Sequence, residues 1–586
     1  MHDIDLIILV CAGLTVISVL TSLVAFRVGA PLLLLFLCVG LIAGEDGPGG
    51  IIFNDAPAAY LIGSAALAVI LFDSGFHTKI SSYRHAAAPA IVLATIGVVA
   101  TVAIVAAAGH YLIKMSWGES LLIGTVLSST DAAALFFLLR VGGITIRDRV
   151  RSTLEVESGT NDPLAIFLTL TLVSVITGTG SSDWLELVAR LIWQAGGGVL
   201  FGLAGGLMIV AIVNRLRLEP GLVPVVVLAF AIVLLALTNE VGASGFLATY
   251  IAGLIAGNAK LQSVGTLRRF QDGVTWLAQI VMFVTLGLLA TPHQFSTIWS
   301  LAVVLAVVLI VVARPIAVVL CLLPFRFSMR ERIFIGWVGL RGAVSILLAL
   351  VPVIGNVAGA PVLFDIAFVV VVISLIVQGW TVRPMARGLG LIVPGATLPV
   401  HRTEIDLPGM DDHEIVVYPL PEGSAIAQGK ELPRWARPVL VRRDNQVITA
   451  PRQFMPGDQV YFLATPQQVP LLDKLLAGTP DENEAEATFY GDFAIEASAT
   501  LKALHDAYDL PLQGGDEQAT LAQLFEREFG TDLELGDRLH LGPVDLIIRD
   551  IRDGQIVWVG IALEPAPPKG FWPSVRRTIA EMIGAR

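Results

Sequence analysis

The chain has 586 residues, 55% hydrophobic and only 15% charged, with a mean hydropathy of +0.76. A soluble protein of this size cannot cover that much apolar surface with so few polar residues, so the composition indicates a membrane protein. Residues 1–390 hold 21 of the 38 Lys and Arg and 19 of the 49 Asp and Glu, which leaves residues 391–586 as an acidic tail of net charge −13 and argues against nucleic-acid binding.

A spanning helix needs about 20 predominantly apolar residues. Cutting at charged, Gly and Pro clusters gives apolar runs near 5–26, 31–44, 58–77, 88–113, 119–140, 150–177, 184–214, 222–239, 241–258, 270–290, 297–324, 331–354 and 361–386, or about thirteen transmembrane helices. The N-terminus lacks a basic region and a cleavage site, so its run is expected to stay as the first helix. Cys11, Cys38 and Cys321 all lie in apolar runs and form no disulfide or zinc pattern.

Loop charges set the orientation. Alternate connections, beginning with the first, carry Arg27; Lys79 and Arg84; Arg147, Arg149 and Arg151; Arg215 and Arg217; Lys260, Arg268 and Arg269; and Arg326, Arg330 and Arg332. The other connections carry Glu45, Asp46, Asp55, Asp183, Glu240 and His293, with Lys114 the one basic exception. The basic set is therefore expected in the cytoplasm with the tail, and the N-terminus in the periplasm. An odd helix count also suggests an inverted repeat, in which helix n and helix n+7 correspond and paired interrupted helices mark the binding site. The fifth and twelfth runs fit: one holds Ser128, Ser129, Thr130 and Asp131, the other Gly339, Leu340, Arg341 and Gly342.

Acids at membrane depth cost roughly 3 kcal/mol or more each, so Asp131, Glu157 and Asp162 need a reason to be there. Three successive hydroxyls before Asp131 compete with the helix ladder for hydrogen bonds, and an unwound turn there exposes carbonyls as cation ligands. In the sixth run Ser158 and Asp162 share a helix face, as do Glu157 and Asn161, and Pro163 frees the carbonyl of Gly159. Hard cations take such carboxylate, hydroxyl and carbonyl oxygens. Interhelical polar contacts average only about 0.6 kcal/mol, and that structural role competes evenly for Ser128, Ser129, Thr160 or Asn161 taken singly. It is a poor account of Asp131 together with Asp162. Arg341 is expected to neutralise Glu157 or Asp73, Arg314 to serve mainly in packing, and Asp73 to line an entrance funnel or face water.

LFDSG, SSTDAA, LEVESGTNDPLA and GLRGAVSI, in this order and spacing, resemble the cation/proton antiporter superfamily, in its electroneutral branch, and within that the bacterial potassium/proton antiporters. The resemblance covers the whole membrane domain. It implies a thirteen-helix homodimer of the bacterial inner membrane with the antiporter fold, in which the fifth and twelfth helices cross where they unwind. It further implies that Asp162 is the transport carboxylate, that Thr130, Asp131 and Ser158 join it as cation ligands, and that Glu157 pairs near Asn161 and Arg341. Asn161 before Asp162, in place of a second Asp, is the pattern associated with one-for-one exchange. Asp73 stands where relatives may carry Glu.

Beyond residue 390 a Pro- and Gly-rich linker leads to short alternating runs with strand character, EIVVYPL, PVLVRR, QVITA and QVYFLA, closed by LLDKLLAG as a helix. Residues 391–480 resemble the ligand-sensing TrkA-C domain of potassium-transport regulators. No GxGxxG strand precedes it, so no NAD site is expected, and either a small regulatory ligand such as a nucleotide or a pure dimerisation role fits. Residues 488–586 resemble the CorC/HlyC transporter-associated domain and end in a helix over 571–586. The whole reads as an α-helical polytopic membrane protein with a cytoplasmic α+β tail. Nothing in it points to an enzyme or a cofactor. The expected activity is electroneutral exchange of potassium for protons by alternating access, with Asp162 and Asp131 as the carriers shared between cation and proton, and with sodium as the nearest alternative ion. A ligand-gated cation channel is disfavoured because filter-like loops are missing, and an organic-solute symporter would need a larger pocket.

Overall fold

The computed structural model describes residues 2–392 apart from a few turn positions and, between 403 and 562, the strands, one helix and adjoining residues. The expected helices at 471–478 and 571–586 lie largely or wholly outside these described residues.

The first three spans are α1 (His2–Val28), α2 (Leu32–Ala43) and α3 (Ala56–His77). The fourth is α4 (Ile80–Val92), one π turn (Leu93–Gly97) and α5 (Val98–Tyr111); the fifth is broken into α6 (Trp117–Val126) and α7 (Ala132–Val141). Then come α8 (Asp148–Ile176), α9 (Trp184–Arg215), α10 (Val223–Glu240), α11 (Gly245–Asn258) and α12 (Val264–Leu289). The eleventh span is α13 (Pro292–Val307), a second π turn (Val308–Ala313) and α14 (Arg314–Leu322); the twelfth is broken into α15 (Met329–Trp337) and α16 (Ala343–Ile354); α17 (Ala360–Gly388) closes the set. Among the described residues, eight helical segments are long and apolar enough to cross a membrane alone. The other expected spans are shorter apolar helices or the two broken pairs.

The correspondence between the fourth and eleventh spans and between the fifth and twelfth is visible in detail. The fourth and eleventh each carry a π turn, an irregularity common at functional sites, and each π turn packs against the other span. The fifth and twelfth each begin with a capping box, Ser116 with Glu119 and Ser328 with Glu331, and each breaks after about nine or ten residues. At about 1.5 Å per residue such a half-helix reaches only about 15 Å, half the bilayer core. Close helix approach depends on glycine: a methyl on Gly253 of α11 would run into the carbonyl of Phe72 on α3, and one on Gly75 into that of Tyr250.

The chain divides into two compact units. One is residues Met1–Gly142 and Arg149–Gly390; the other is Leu391–Arg586 together with the hexapeptide Gly143–Asp148. The tail contains a five-stranded antiparallel sheet, ordered β1-β2-β5-β3-β4, from β1 (Thr403–Asp406), β2 (Glu414–Pro419), β3 (Pro438–Arg443), β4 (Gln446–Ile448) and β5 (Gln459–Ala464). Here β1 corrects the sequence reading, which placed residues 403–406 in a linker; TEID pairs with β2 from Thr403 to Asp406. In the Pro-Gly-Asp turn before β5, Arg443 Nε and Nη2 donate to Asp458 at 2.7 and 2.8 Å, and the Met455 N–H donates to the same carboxylate at 2.8 Å. These donors hold the Asp458 carboxyl below the usual carboxylate range, the Arg443 bonds contributing most. A second antiparallel sheet, ordered β6-β9-β8-β7, comprises β6 (Phe493–Glu496), β7 (Arg538–Leu541), β8 (Val544–Arg552) and β9 (Gln555–Ala562). It shares its apolar core with α18 (Leu521–Phe529), through Leu521, Phe525, Leu546, Ile548, Val559 and Ile561.

Candidate ion-binding site

Residues 127–131 leave the helix between α6 and α7, and residues 338–342 leave it between α15 and α16. Unwinding strands backbone groups that must find partners where no water reaches them. They find them in each other: the Asp131 N–H donates to the Leu340 carbonyl at 2.8 Å, and Arg341 Nη1 donates to the carbonyls of Ser128 at 2.7 Å and Ser129 at 2.6 Å. On the far side the Arg341 N–H donates to Ser374 Oγ (3.0 Å), Ser374 Oγ to Gln378 Oε1 (2.5 Å), and Gln378 Nε2 to the Trp337 carbonyl (2.5 Å). The Asp131 carboxylate accepts the Ala134 N–H at 3.1 Å, capping α7, and a methyl on Gly342 would collide with that carboxylate.

Helix α8 lies across this crossing. Ser129 Oγ donates to Asp162 Oδ1 (2.5 Å), Asn161 Nδ2 to Thr130 Oγ1 (2.5 Å), and Ser158 Oγ to the Thr130 carbonyl (2.8 Å), while the Ala132 N–H donates back to Ser158 Oγ (3.2 Å). Thr130, Asp131, Ser158, Asn161 and Asp162 thus come together as the residue pattern implies. Asp162 is 4% exposed and Asn161 wholly buried, with Asn161 Oδ1 lacking a hydrogen-bond partner among the described residues. An orphan amide oxygen beside a carboxylate, two hydroxyls and an unwound carbonyl suits a hard cation.

Glu157 departs from expectation. Its partner is not Arg341 but Arg314, whose Nη1 and Nη2 donate to the two carboxylate oxygens at 2.6 and 2.8 Å, with both side chains buried. A planar guanidinium matches a carboxylate bidentately, whereas Arg341 is committed to the carbonyls of the fifth span. Arg314 was therefore undervalued as a packing residue. The signal was available, because a buried arginine at membrane depth needs an acid as much as the reverse. Ser129, one of several hydroxyls in the sequence reading, contacts the carboxylate itself, and Ser374, which the sequence does not single out, holds the Arg341 backbone. Asp73 does not pair with Arg341 in the contacts seen: it lies with His77, whose Nδ1 is 3.2 Å from Asp73 Oδ1 and whose Nε2 is 3.7 Å from Asp272 on α12.

The neutralised Glu157 isolates what is different about Asp162. Among the described residues no Lys or Arg forms an ion pair with Asp162; Arg341 acts on it only from beyond contact distance, and a buried carboxylate so weakly compensated is costly. A proton or a cation at these oxygens would each remove that cost.

Comparison with known proteins shows the family. Residues 14–388 match the sodium/hydrogen exchanger transmembrane family, and residues 486–565 match the transporter-associated domain CorC_HlyC. The chain is 40% identical to the K(+)/H(+) antiporter NhaP of Alkalimonas amylolytica, over 96% of this chain and 99% of that one. It is 39% identical to the K(+)/H(+) antiporter NhaP2 of Shewanella oneidensis, over 95% and 98%. Over 57% of this chain and 65% of the relative it is 28% identical to the low-affinity Na(+)/H(+) antiporter NhaS1 of Synechocystis. The solved sodium proton antiporter MjNhaP1 of Methanocaldococcus jannaschii superposes with a TM-score of 0.57 at 25% identity, covering 65% of this chain and 99% of that one. The chain is a multi-pass membrane transporter, not an enzyme, and belongs to the sodium/hydrogen exchanger family of cation/proton antiporters.

Proposed function

We propose that this antiporter exchanges potassium for protons one for one, with Asp162 as the shared carrier. The observation that carries the reading is the contrast between two neighbouring buried acids: Glu157 is held by Arg314, and among the described residues Asp162 has no such partner. Thr130, Asp131, Ser158 and Asn161 complete the oxygen shell, Arg341 fixes the crossing, and Asp73 lies with His77 and Asp272 at the end of α3. Only a loaded carrier is neutral enough to cross, which enforces exchange over leak. Potassium is favoured because the relatives matched over nearly the whole length, tail included, bear that name.

The loop arginines support a bacterial inner membrane protein with its N-terminus in the periplasm and its tail in the cytoplasm. We read residues 1–390 as the exchanger, 391–480 as a TrkA-C-like domain and 488–586 as the transporter-associated domain, the last two regulating transport in a homodimer. Sodium is the second reading, suggested by the names of NhaS1 and MjNhaP1.

The test is proton flux in proteoliposomes with potassium, sodium and lithium in turn. Potassium is expected to drive the largest flux, and Asp162→Asn to abolish it with all three ions. Exchange persisting in Asp162→Asn would overturn the carrier assignment, and a larger sodium flux would overturn the ion.

A further inference from the structure

From the turn after α7 to the first residue of α8 runs the hexapeptide Gly143–Asp148, which belongs to the compact unit of the tail, not to that of the helices it joins. Within the tail unit Ile146 forms an antiparallel bridge with Ile392, and Ile144 and Ile146 are buried. Arg147 Nη2 donates to the Gly536 carbonyl at 2.7 Å, and Nη1 lies 3.9 Å from Asp537 Oδ1. The acceptor is well anchored. Gly536 occupies a left-handed turn (φ 85°) that an L side chain rarely adopts, its N–H donates to the Ile548 carbonyl at 2.8 Å, and the Ile548 N–H donates to the Asp537 carbonyl at 2.9 Å.

The three loop arginines that orient the chain therefore have separate fates. Arg149 lies 4.3 Å from the centre of the Phe327 ring, and Arg151 Nε pairs with Glu155 at 2.9 Å on its own helix. Arg147 bonds to tail backbone at the turn that leads into β7. Its side chain is 14% exposed and that of Asp537 12%, so solvent does little to weaken the link.

We propose that Arg147 is the latch by which the tail holds the turn between the fifth and sixth spans, and that the tail governs transport through it. The proposal rests on the reading of the tail as regulatory. Its physical basis is covalent continuity: α7 begins directly after Asp131, α8 carries Ser158 and Asp162, and the hexapeptide is the segment that joins them. Tension or release at the hexapeptide acts on both halves of the ion site together. A hydrogen bond from a charged donor shifts the ratio of held to released turn by at least about tenfold.

The test uses the full chain in proteoliposomes, measuring the potassium concentration and pH at half-maximal proton flux. Arg147→Gln removes the latch; Phe525→Ala loosens the core beneath β8 and β9 without touching the hexapeptide; Arg151→Gln is the charge control. The expected result is a similar shift for Arg147→Gln and Phe525→Ala, no further shift when they are combined, and a wild-type profile for Arg151→Gln. Hydrogen exchange at the Gly536 and Ile548 amides is expected to rise about tenfold in Arg147→Gln. If Phe525→Ala shifts the profile and Arg147→Gln does not, the latch is wrong and the regulatory reading stands. If neither does, both fall. Unchanged amide exchange in Arg147→Gln, or an equal shift in Arg151→Gln, also overturns the latch.

Discussion

The breaks in the fifth and twelfth spans share a backbone plan and differ in chemistry. Each follows a capped half-helix of nine or ten residues and resumes in an apolar half-helix. The fifth supplies hydroxyls and an acid; the twelfth supplies a carbonyl, an arginine and glycine. Because the twelfth break satisfies the exposed carbonyls of Ser128 and Ser129 and the N–H of Asp131, the side chains of Ser129 and Thr130 are available to Asp162 and Asn161. One half of the crossing is a clamp and the other is a binding surface. Substitutions on the clamp side should then cost stability first, and substitutions on the binding side should cost exchange first.

The largest expected loss is at the ion pair beside the crossing. Arg314→Leu leaves Glu157 buried without a partner and should destabilise the detergent-solubilised chain by about 3–5 kcal/mol, with Glu157→Gln restoring most of it in the double variant. A thermal unfolding series over the four combinations measures this. If the single variant is as stable as wild type, the pair is not structural. Next comes Arg341→Gln, which gives up charge-assisted bonds to two carbonyls and should cost about 2–3 kcal/mol in the same assay. Asp162→Asn is the counterpart on the binding side: exchange is lost while the unfolding temperature holds or rises, since a buried charge without a contacting counter-ion among the described residues has been removed. A drop as large as that of Arg314→Leu would erase the distinction between clamp and binding surface.

Smaller still is Gly342→Ala, whose methyl presses on the Asp131 carboxylate. Overpacking of this kind costs about 1–3 kcal/mol, so at this clamp position stability should fall first, with a smaller rise in the half-saturating cation concentration as Asp131 is displaced. The smallest effect lies outside the membrane. Asp458, held below the usual carboxylate range by Arg443, contributes stability that is present above its unfolded pKa and fades as pH falls through its lower folded value. Asp458→Asn should therefore cost the tail about 1–2 kcal/mol at neutral pH, a difference that vanishes in acid, as read by amide exchange at β5 in the full chain.

The positions of both breaks were legible because polar residues interrupt otherwise apolar runs, and SSTD and GLRG stand out on cost alone. The partners across each break were less so. Glu157 had two arginines to choose from, and sequence spacing carries no information on which of two distant helices faces it. Read from sequence, Arg314 beside Pro315 suggests a packing role and Arg341 the counter-charge, whereas the structure pairs Glu157 with Arg314. The π turns were hidden for a different reason: VLIVVA at 308–313 contains no breaker at all. Strand β1 was masked by the Pro and Gly around TEID; what makes it a strand is the edge of β2, which lies in its future along the chain.

That order along the chain matters for the crossing too. Arg341 follows Ser129 by 212 residues. While the ribosome is still making the middle of the protein, the fifth span has no donor for its exposed carbonyls and no acceptor for Asp131. A segment in that position keeps its hydrogen bonds by staying helical. The hydrogen bonds that close the break in the fifth span are thus available only once the twelfth is present, and a chain ending before Gly339 is expected to lack the crossing.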